Sequence, residues 1–160
     1  MTALVRENQI VKMINPQPLY KQDLVAWCDD TVAKLKLGQF NEIDIDNLVE
    51  EIEGLAGRDR RELESRLEVL LSHLLKRLYV NSINDYRGWE ITIREQRREL
   101  QKLLNQSPSL RQYWVSAFPA AWSNALSDAR EDYPQTQFPD EWALNDEIDA
   151  LLTERFWLEA

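Results

Sequence analysis

Apolar residues recur at steps of three and four along most of the chain, and this spacing predicts α-helices. The predicted long helices cover residues 19–37, 44–80, 89–105 and 108–133, and a short one covers residues 145–152. Short polar connections join them, so neighbouring helices are expected to alternate in direction. The pattern predicts an all-α fold: an antiparallel up-and-down bundle of four long helices with a short C-terminal helix and irregular ends.

The second helical region, residues 44–80, allows two interpretations. Its apolar stripe begins with Ile45, Leu48, Val49, Ile52, Leu55 and Ala56. Gly54 and Gly57 interrupt that stripe, and glycine lowers helix stability. Asp59 offers a cap for a new helix start. The region is therefore either one helix, kinked or split near Gly54–Gly57, or two abutting helices.

The first predicted helix carries a comparable stripe, which we expect to be buried. Its members are Leu24, Trp27, Cys28, Thr31, Val32 and Leu35. Cys28 is the single cysteine and borders this stripe, so we expect a core thiol. Before this helix, residues 1–18 end in N-P-Q-P and predict an N-terminal arm. Residues 19–160 show no linker and predict a single domain.

Composition narrows the range of functions. The formal net charge of −9 argues against a nucleic-acid partner, since phosphate binding requires clustered cations. One cysteine excludes a disulfide framework, and one histidine without a ligand pair predicts no metal site and no cofactor. No stretch reaches 18 apolar residues and no signal peptide is recognisable, so we expect a cytoplasmic protein without a membrane segment.

The only histidine, His73, lies in a leucine-rich stretch of the second helical region, R-L-E-V-L-L-S-H-L-L-K-R-L-Y. At roughly 100° per residue, Arg66 and Arg77 fall on the same flank as His73, at the border of the core. Glu51 and Arg97 border the core of their own helices. We therefore predict a polar network of these five residues, which fixes the register of the helices. Whether His73 is buried or lines a cleft is left open by the sequence.

A catalytic interpretation of the same stripe is the alternative. The spacing of Arg66 and His73 loosely resembles the Arg-x4–6-His signature of the HEPN ribonucleases. That resemblance implies that the arginine steadies a phosphate and that the histidine assists proton transfer. Leu67 departs from the pattern, because the family has a polar residue after the arginine. Arg66 and His73 are thus the candidate catalytic residues of a HEPN-like ribonuclease or another hydrolase.

Tryptophans near the C-terminus offer a different kind of site. The chain has six tryptophans, and two of them, Trp142 and Trp157, lie in its loop-rich end. Aromatic side chains of this kind are enriched at protein interfaces. The sequence therefore predicts a partner surface at Trp142 and Trp157.

Several segments together resemble a bacterial family, the domain of unknown function 29. The matching stretches are L-Y-K-Q-D-L-V-A-W, D-N-L-V-E-E-I-E-G-L, R-R-E-L-E-S-R-L-E-V-L-L-S-H-L-L-K, W-E-I-T-I-R-E-Q-R and N-Q-S-P-S-L. The resemblance implies a small helical bacterial protein and brings no activity with it. Its pattern includes Glu50, Glu51, His73 and Arg97. The chain has Glu141-Trp142 where the family has Cys-Pro, so its C-terminal end is expected to pack differently.

These observations favour a protein-interaction or structural module over an enzyme. We expect a protein partner or a homodimer, because the architecture is helical and catalytic residue types are scarce.

Overall fold

The computed structural model describes residues 18–158, and within them it contains helices and no β-strand. The helices are α1 (Leu19–Gln22), α2 (Leu24–Leu37), α3 (Ile45–Tyr79), α4 (Ile83–Gln106), α5 (Leu110–Asp132) and α6 (Ile148–Thr153), with 3₁₀ turns at Phe40–Glu42 and Phe156–Leu158. The predicted all-α fold with four long helices and a short C-terminal one is confirmed. The predicted arm, apart from Pro18, lies outside the described residues.

The region that allowed two interpretations is one helix. α3 has 35 residues and continues through Gly54 and Gly57. Each glycine lowers helix stability by about 1 kcal/mol relative to alanine, but neither removes a backbone hydrogen bond as proline does. The apolar spacing on both sides is therefore sufficient to carry the helix across them.

The described residues fall into two compact units, which divide between Gly54 and Leu55. The predicted single domain of residues 19–160 stays a prediction. The first unit contains α1, α2 and the beginning of α3.

Asp23 starts α2 by accepting a hydrogen bond from the Ala26 backbone N–H at 2.9 Å. Gly38 ends α2 at φ 72°, a left-handed conformation that glycine adopts without strain.

The predicted buried stripes of the first unit are only partly correct. Of the predicted members, Trp27 and Thr31 are buried, but the others on α2 and at the start of α3 are not. The exposed ones are Leu24, Cys28, Val32, Leu35, Ile45, Val49 and Ile52, followed in α3 by Leu55 and Ala56. The buried Trp27 ring packs against Tyr20 of α1, with ring centres 4.9 Å apart. The expectation of a core thiol at Cys28 was wrong, because Cys28 is exposed.

The second unit is built on the part of α3 after Gly54, together with α4 and α5. Contacts along α3 show the direction of α4. Arg66 donates to Gln96 at 3.3 Å, whereas Arg77, further along α3, pairs with the earlier residue Glu90 at 2.7 Å. α3 and α4 are therefore antiparallel, as the three-residue connection between them requires.

α5 returns to the direction of α3. Glu64 near the start of this part of α3 accepts a hydrogen bond from Tyr113 early in α5, and Lys76 pairs with Asp132 at its end. The three helices thus alternate in direction around one core. Its fully buried large residues are Trp114, Leu63, Leu67, Leu70, Leu71, Leu74, Leu75, Ile93, Leu100 and Leu151.

α4 begins earlier than the sequence predicts. The stretch from Asn81 to Gly88 was predicted to be a loop, but α4 starts at Ile83. The Ser82 hydroxyl donates to the Asp85 carboxylate in the first turn, and Asp85 suits the positive end of the helix. Gly88 is tolerated inside the helix, so α4 begins six residues, or nearly two turns, earlier than predicted.

Glycine substitutions in the first unit are expected to act in opposite directions. A Cβ added at Gly54 meets no atom within 4 Å, so Gly54→Ala should raise the free energy of unfolding by about 0.5–1 kcal/mol. Gly38→Ala should lower it, because alanine at φ 72° is strained. Urea denaturation of both variants measures the two changes. Equal changes of the same sign would contradict the helix geometry assigned to Gly54.

Candidate functional site

Arg97 is the one charged side chain that is buried in the described part of the chain, with 8% exposure. Its Nε donates to the Leu151 carbonyl at 2.8 Å, and its Nη2 donates to the Glu154 carbonyl at 2.6 Å. Burial lowers the pKa of Arg97 to about 10, and the nearby Glu154 charge partly offsets this, so the guanidinium stays protonated at neutral pH. Arg97 thereby ties the C-terminal segment to α4.

Above Arg97 lies a cleft of about 560 Å³ between α4 and this C-terminal segment. We call it the arginine cleft. Its walls are Arg87, Glu90, Ile91, Ile93, Arg94, Arg97, Arg98, Gln101, Leu152, Thr153, Arg155 and Trp157. The spacing of residues 87, 91, 94, 98 and 101 puts them on one face of α4. Arg97 contributes to the opposite wall by binding the carbonyls of Leu151 and Glu154.

The arginine cleft is strongly cationic in a chain whose net charge is −9. Five arginines and one glutamate line it, so the wall side chains carry a net charge of +4. That glutamate, Glu90, is already paired with Arg77 outside the cleft. Among the described residues, Arg87, Arg94 and Arg155 have no carboxylate within ion-pair distance, and these three side chains are exposed.

Arg77 supports one edge of this cleft. Its guanidinium lies 3.9 Å from the centre of the Tyr86 ring and 5.4 Å from the centre of the Trp157 ring. Cations are attracted to aromatic faces in this geometry. Arg77 therefore orients both Glu90 and Trp157, and its role is to shape the wall of the cleft.

The other predicted site residues of α3 lie elsewhere. Arg66 pairs with Glu62 at 2.8 Å and donates to Gln96. The half-buried His73 ring donates from Nδ1 to the Val69 carbonyl at 2.8 Å, which leaves Nε2 as the acceptor when the ring is neutral. His73 is not among the residues that line the arginine cleft.

Glu51 belongs to the first unit, where its carboxylate accepts a hydrogen bond from the Tyr20 hydroxyl at 2.7 Å. This bond raises the pKa of Tyr20 to about 12. In residues 18–158, no hydrogen bond or ion pair joins any two of the five side chains proposed as a network. Arg66 and His73 are seven positions apart, which is about 10.5 Å along a helix, and each bonds to a residue four positions earlier.

The two C-terminal tryptophans have different surroundings. Trp142 packs edge-on against Trp122 and Phe156, with ring centres at 5.8 and 5.5 Å, and its Nε1 donates to the Asn145 carbonyl. It therefore serves the packing of the C-terminal end. Trp157 lines the arginine cleft and is only partly buried.

Arg87 and Arg155 are cleft residues that the sequence did not reveal. Arg87 was placed in a predicted loop, and Arg155 lies in a tail whose path no periodicity predicts. The spacing of Arg87, Arg94 and Arg98 is a helical signal that an earlier start of α4 would have exposed. The opposite wall depends on long-range contacts of Arg97, which sequence spacing does not contain.

Metal binding gains no support from side-chain placement. Within residues 18–158, no group of three or more histidine, cysteine, aspartate or glutamate side chains is arranged to hold a metal ion.

The fold and the cleft define a small all-α protein with a cationic cleft at its C-terminal end. The chain belongs to the family described as Domain of unknown function DUF29, whose model matches residues 19–157. The resemblance noted in its motifs is thereby confirmed. No curated protein and no solved structure matches the chain. In the described range, no helix is both long and apolar enough to cross a membrane.

His73 should make stability depend on pH. Burial holds the pKa of His73 below its usual value of 6.5, although the bond to Val69 works in the opposite direction. The unfolded chain therefore binds a proton more readily. The stabilising contribution is full above about pH 6.5 and is lost as the pH falls through 6.5 towards the lower pKa of the folded state.

The check is to compare urea denaturation of the protein and of His73→Asn at several pH values from about 5 to 8. The carboxylates titrate in both proteins, so the difference between the two curves isolates His73. We expect the wild type to lose more free energy of unfolding on acidification. Parallel curves would contradict the assigned pKa direction.

Proposed function

We propose that the protein is an interaction module whose first unit binds a basic amphipathic helix of a partner protein. The observation that carries this proposal is the first-unit apolar face, defined as Leu24, Val32, Leu35, Ile45, Val49 and Ile52. These six side chains are between 41% and 57% exposed. We infer that the α2 and α3 members lie on one face of the unit, and an exposed apolar face typically marks a site of association.

The positions within each helix support binding of a helical partner. The α2 members are spaced at i, i+8 and i+11, and the α3 members are spaced at i, i+4 and i+7. Each helix therefore carries one continuous apolar stripe. Such stripes accept the apolar face of an amphipathic helix in known recognition modes.

The charge of the first unit favours a basic helix over a second copy of the chain or an anionic membrane. Residues 18–54 contain nine aspartates and glutamates and three lysines, so their side chains sum to −6. A second copy of the chain would bring the same negative charge to the interface, whereas a basic helix would be attracted. An anionic membrane surface would be repelled for the same reason. We therefore prefer a basic protein partner in the cytoplasm, and the homodimer predicted from sequence becomes an outcome of the test.

The hydrolase alternative rests on Arg66 and His73. The Arg66 guanidinium is already bound by Glu62 and Gln96, so phosphate binding there would require the Glu62 ion pair to break. We therefore place the interaction first. Incubation of purified protein and His73→Ala with RNA tests the alternative, and we expect no cleavage that depends on His73.

The interaction is tested with a synthetic 18-residue peptide that has leucine at i, i+3, i+4 and i+7 and lysine on the flanking positions. Titration calorimetry should show binding, and a peptide with glutamate in place of lysine should not bind. Ile52→Asp should weaken binding by about tenfold or more, because it removes a buried apolar contact from the complex. Ile83→Asp, which changes an exposed isoleucine in the second unit, is the matched control.

Three outcomes would overturn the proposal. The first is equal weakening by Ile52→Asp and Ile83→Asp. The second is a stable dimer in light scattering that Ile52→Asp dissociates, which would assign the face to a second copy. The third is peptide binding that appears only after residues 1–17 are removed, which would assign the face to that segment.

A further inference from the structure

We propose that the arginine cleft binds a small phosphorylated ligand that carries a planar ring, such as a nucleoside triphosphate. The phosphates would contact Arg87, Arg94 and Arg98 on α4, and the ring would pack on Trp157 of the opposite wall. This site lies in the second unit and is independent of the proposed helix-binding face.

The charge of the cleft is the first argument. The chain has 28 aspartates and glutamates against 19 lysines and arginines, yet the wall residues carry five arginines against one glutamate. Arg87, Arg94 and Arg98 repeat at i, i+7 and i+11, so three like charges follow one face of α4. Arg94 and Arg98 are four positions apart, and like charges at this spacing destabilise a helix unless an anion neutralises them. Arginine is the side chain that recognises phosphate through paired N–H donors.

The donors that remain available are the second argument. Arg97 uses Nε and Nη2 on backbone carbonyls, so it is a positioning residue that holds the second wall. The exposed Arg98 lies 3.5 Å from Glu99, which Lys102 also pairs at 2.8 Å, so an incoming phosphate can replace Glu99 at little cost. Arg87, Arg94 and Arg155 have their whole guanidinium groups available among the described side chains.

The size and composition of the cleft are the third argument. Its volume of about 560 Å³ falls within the range of roughly 300–1,000 Å³ that is typical of small-molecule sites. Ile91, Leu152 and Trp157 supply an apolar patch next to the arginines. Trp157 is kept in place from one side by the Arg77 guanidinium. Arginines beside an aromatic and aliphatic patch match a ligand with phosphates at one end and a ring at the other.

The net charge of the chain favours a small ligand over a nucleic acid. A polymer would extend beyond the cleft and meet a protein of net charge −9, which repels a polyanion. A ligand that fits within the cleft meets the local charge of +4 instead. The ligand of the arginine cleft is therefore a small molecule.

Titration calorimetry of the full chain with ATP and with tripolyphosphate, both without divalent cations, is the test. We expect both to bind, and ATP to bind more tightly because of its ring. The double variant Arg94→Ala, Arg98→Ala should weaken both by about tenfold or more. The double variant Arg58→Ala, Arg61→Ala, which removes the same charge from exposed positions of α3, should leave both affinities within about twofold. Circular dichroism confirms that each variant is folded.

Trp157→Leu distinguishes the contribution of the ligand's ring from that of its phosphates. It should lower the affinity for ATP and leave the affinity for tripolyphosphate unchanged, since only ATP has a ring to pack on the indole. Equal loss in the two arginine double variants would show diffuse charge attraction and overturn the proposal. So would the absence of binding at millimolar ATP, or a single-stranded RNA oligonucleotide or a hexaglutamate peptide that binds more tightly than ATP. Failure here leaves the peptide titration of the first unit unaffected.

Discussion

Arg97→Ala is expected to lower the free energy of unfolding by about 3 kcal/mol. The change removes two hydrogen bonds to a charged donor, each worth roughly 1.5–3 kcal/mol. It also leaves the carbonyls of Leu151 and Glu154 without their donor at the end of α6. In a chain of this length, that loss corresponds to a fall in melting temperature of about 6–12 °C.

Urea denaturation and thermal melting measure the effect, and Arg94→Ala is the matched control. Arg94 lies one turn earlier on the same helix and is exposed, so its removal should change the free energy of unfolding by no more than about 0.5 kcal/mol. Arg97→Lys should recover only part of the loss, because a lysine amine cannot reach both carbonyls in the planar geometry of a guanidinium. Equal stability of Arg97→Ala and Arg94→Ala would contradict the role assigned to Arg97.

Trp114→Ala is expected to lower the free energy of unfolding by about 3–5 kcal/mol. Trp114 is 1% exposed and is among the largest fully buried side chains of the second unit. Trp114 belongs to the core that also contains the α3 leucines, so its removal leaves a cavity there, and the cost of such a cavity adds to the lost burial of apolar surface. The measurement is the midpoint and slope of urea denaturation.

Trp114→Phe gives a sharper check of the same core. The Nε1 of Trp114 is buried and has no hydrogen-bond partner in the described structure. Phenylalanine removes this unpaired donor along with part of the ring, so its cost should be well below that of alanine. Trp122→Phe, by contrast, removes the bond from Nε1 to the Asp140 carbonyl at 3.0 Å. A greater loss for Trp114→Phe than for Trp122→Phe would contradict the burial of an unpaired N–H.

The fold class was predictable because helical periodicity is a local property of the sequence. The leucine-rich stretch around His73 was expected to border the core, and its leucines Leu67, Leu70 and Leu74 are fully buried. The predicted end of the first helix at residue 37 also agrees with the end of α2 before Gly38. The helical pattern is weaker at the start of α4. Gly88 and the polar residues around it have a composition typical of a loop, although they are helical.

The burial of the first unit was not predictable from periodicity. A stripe such as Ile45, Val49 and Ile52 shows that a helix has an apolar face, but it does not show what covers that face. Periodicity alone therefore assigned these residues to a core. Their exposure becomes informative only when the structure shows which neighbours are present.

The candidate site was predictable only in part. Sequence spacing identified Arg97 at the core border, but not the carbonyls of Leu151 and Glu154 that it binds. These partners are more than fifty residues away in the chain, and backbone acceptors leave no sequence signal. A related reason applies to His73, for which the sequence suggested side-chain partners. Its ring bonds instead to the Val69 backbone carbonyl, one turn earlier in its own helix.

The central functional claim is that the first-unit apolar face receives a basic helix. The most direct measurement is an amide NMR footprint of the lysine-flanked peptide on the full chain. We predict that chemical-shift changes concentrate in α2 and in residues 45–54 of α3, and that Ile52→Asp abolishes them. Changes concentrated in α4 or α5 and retained in Ile52→Asp would contradict the claim.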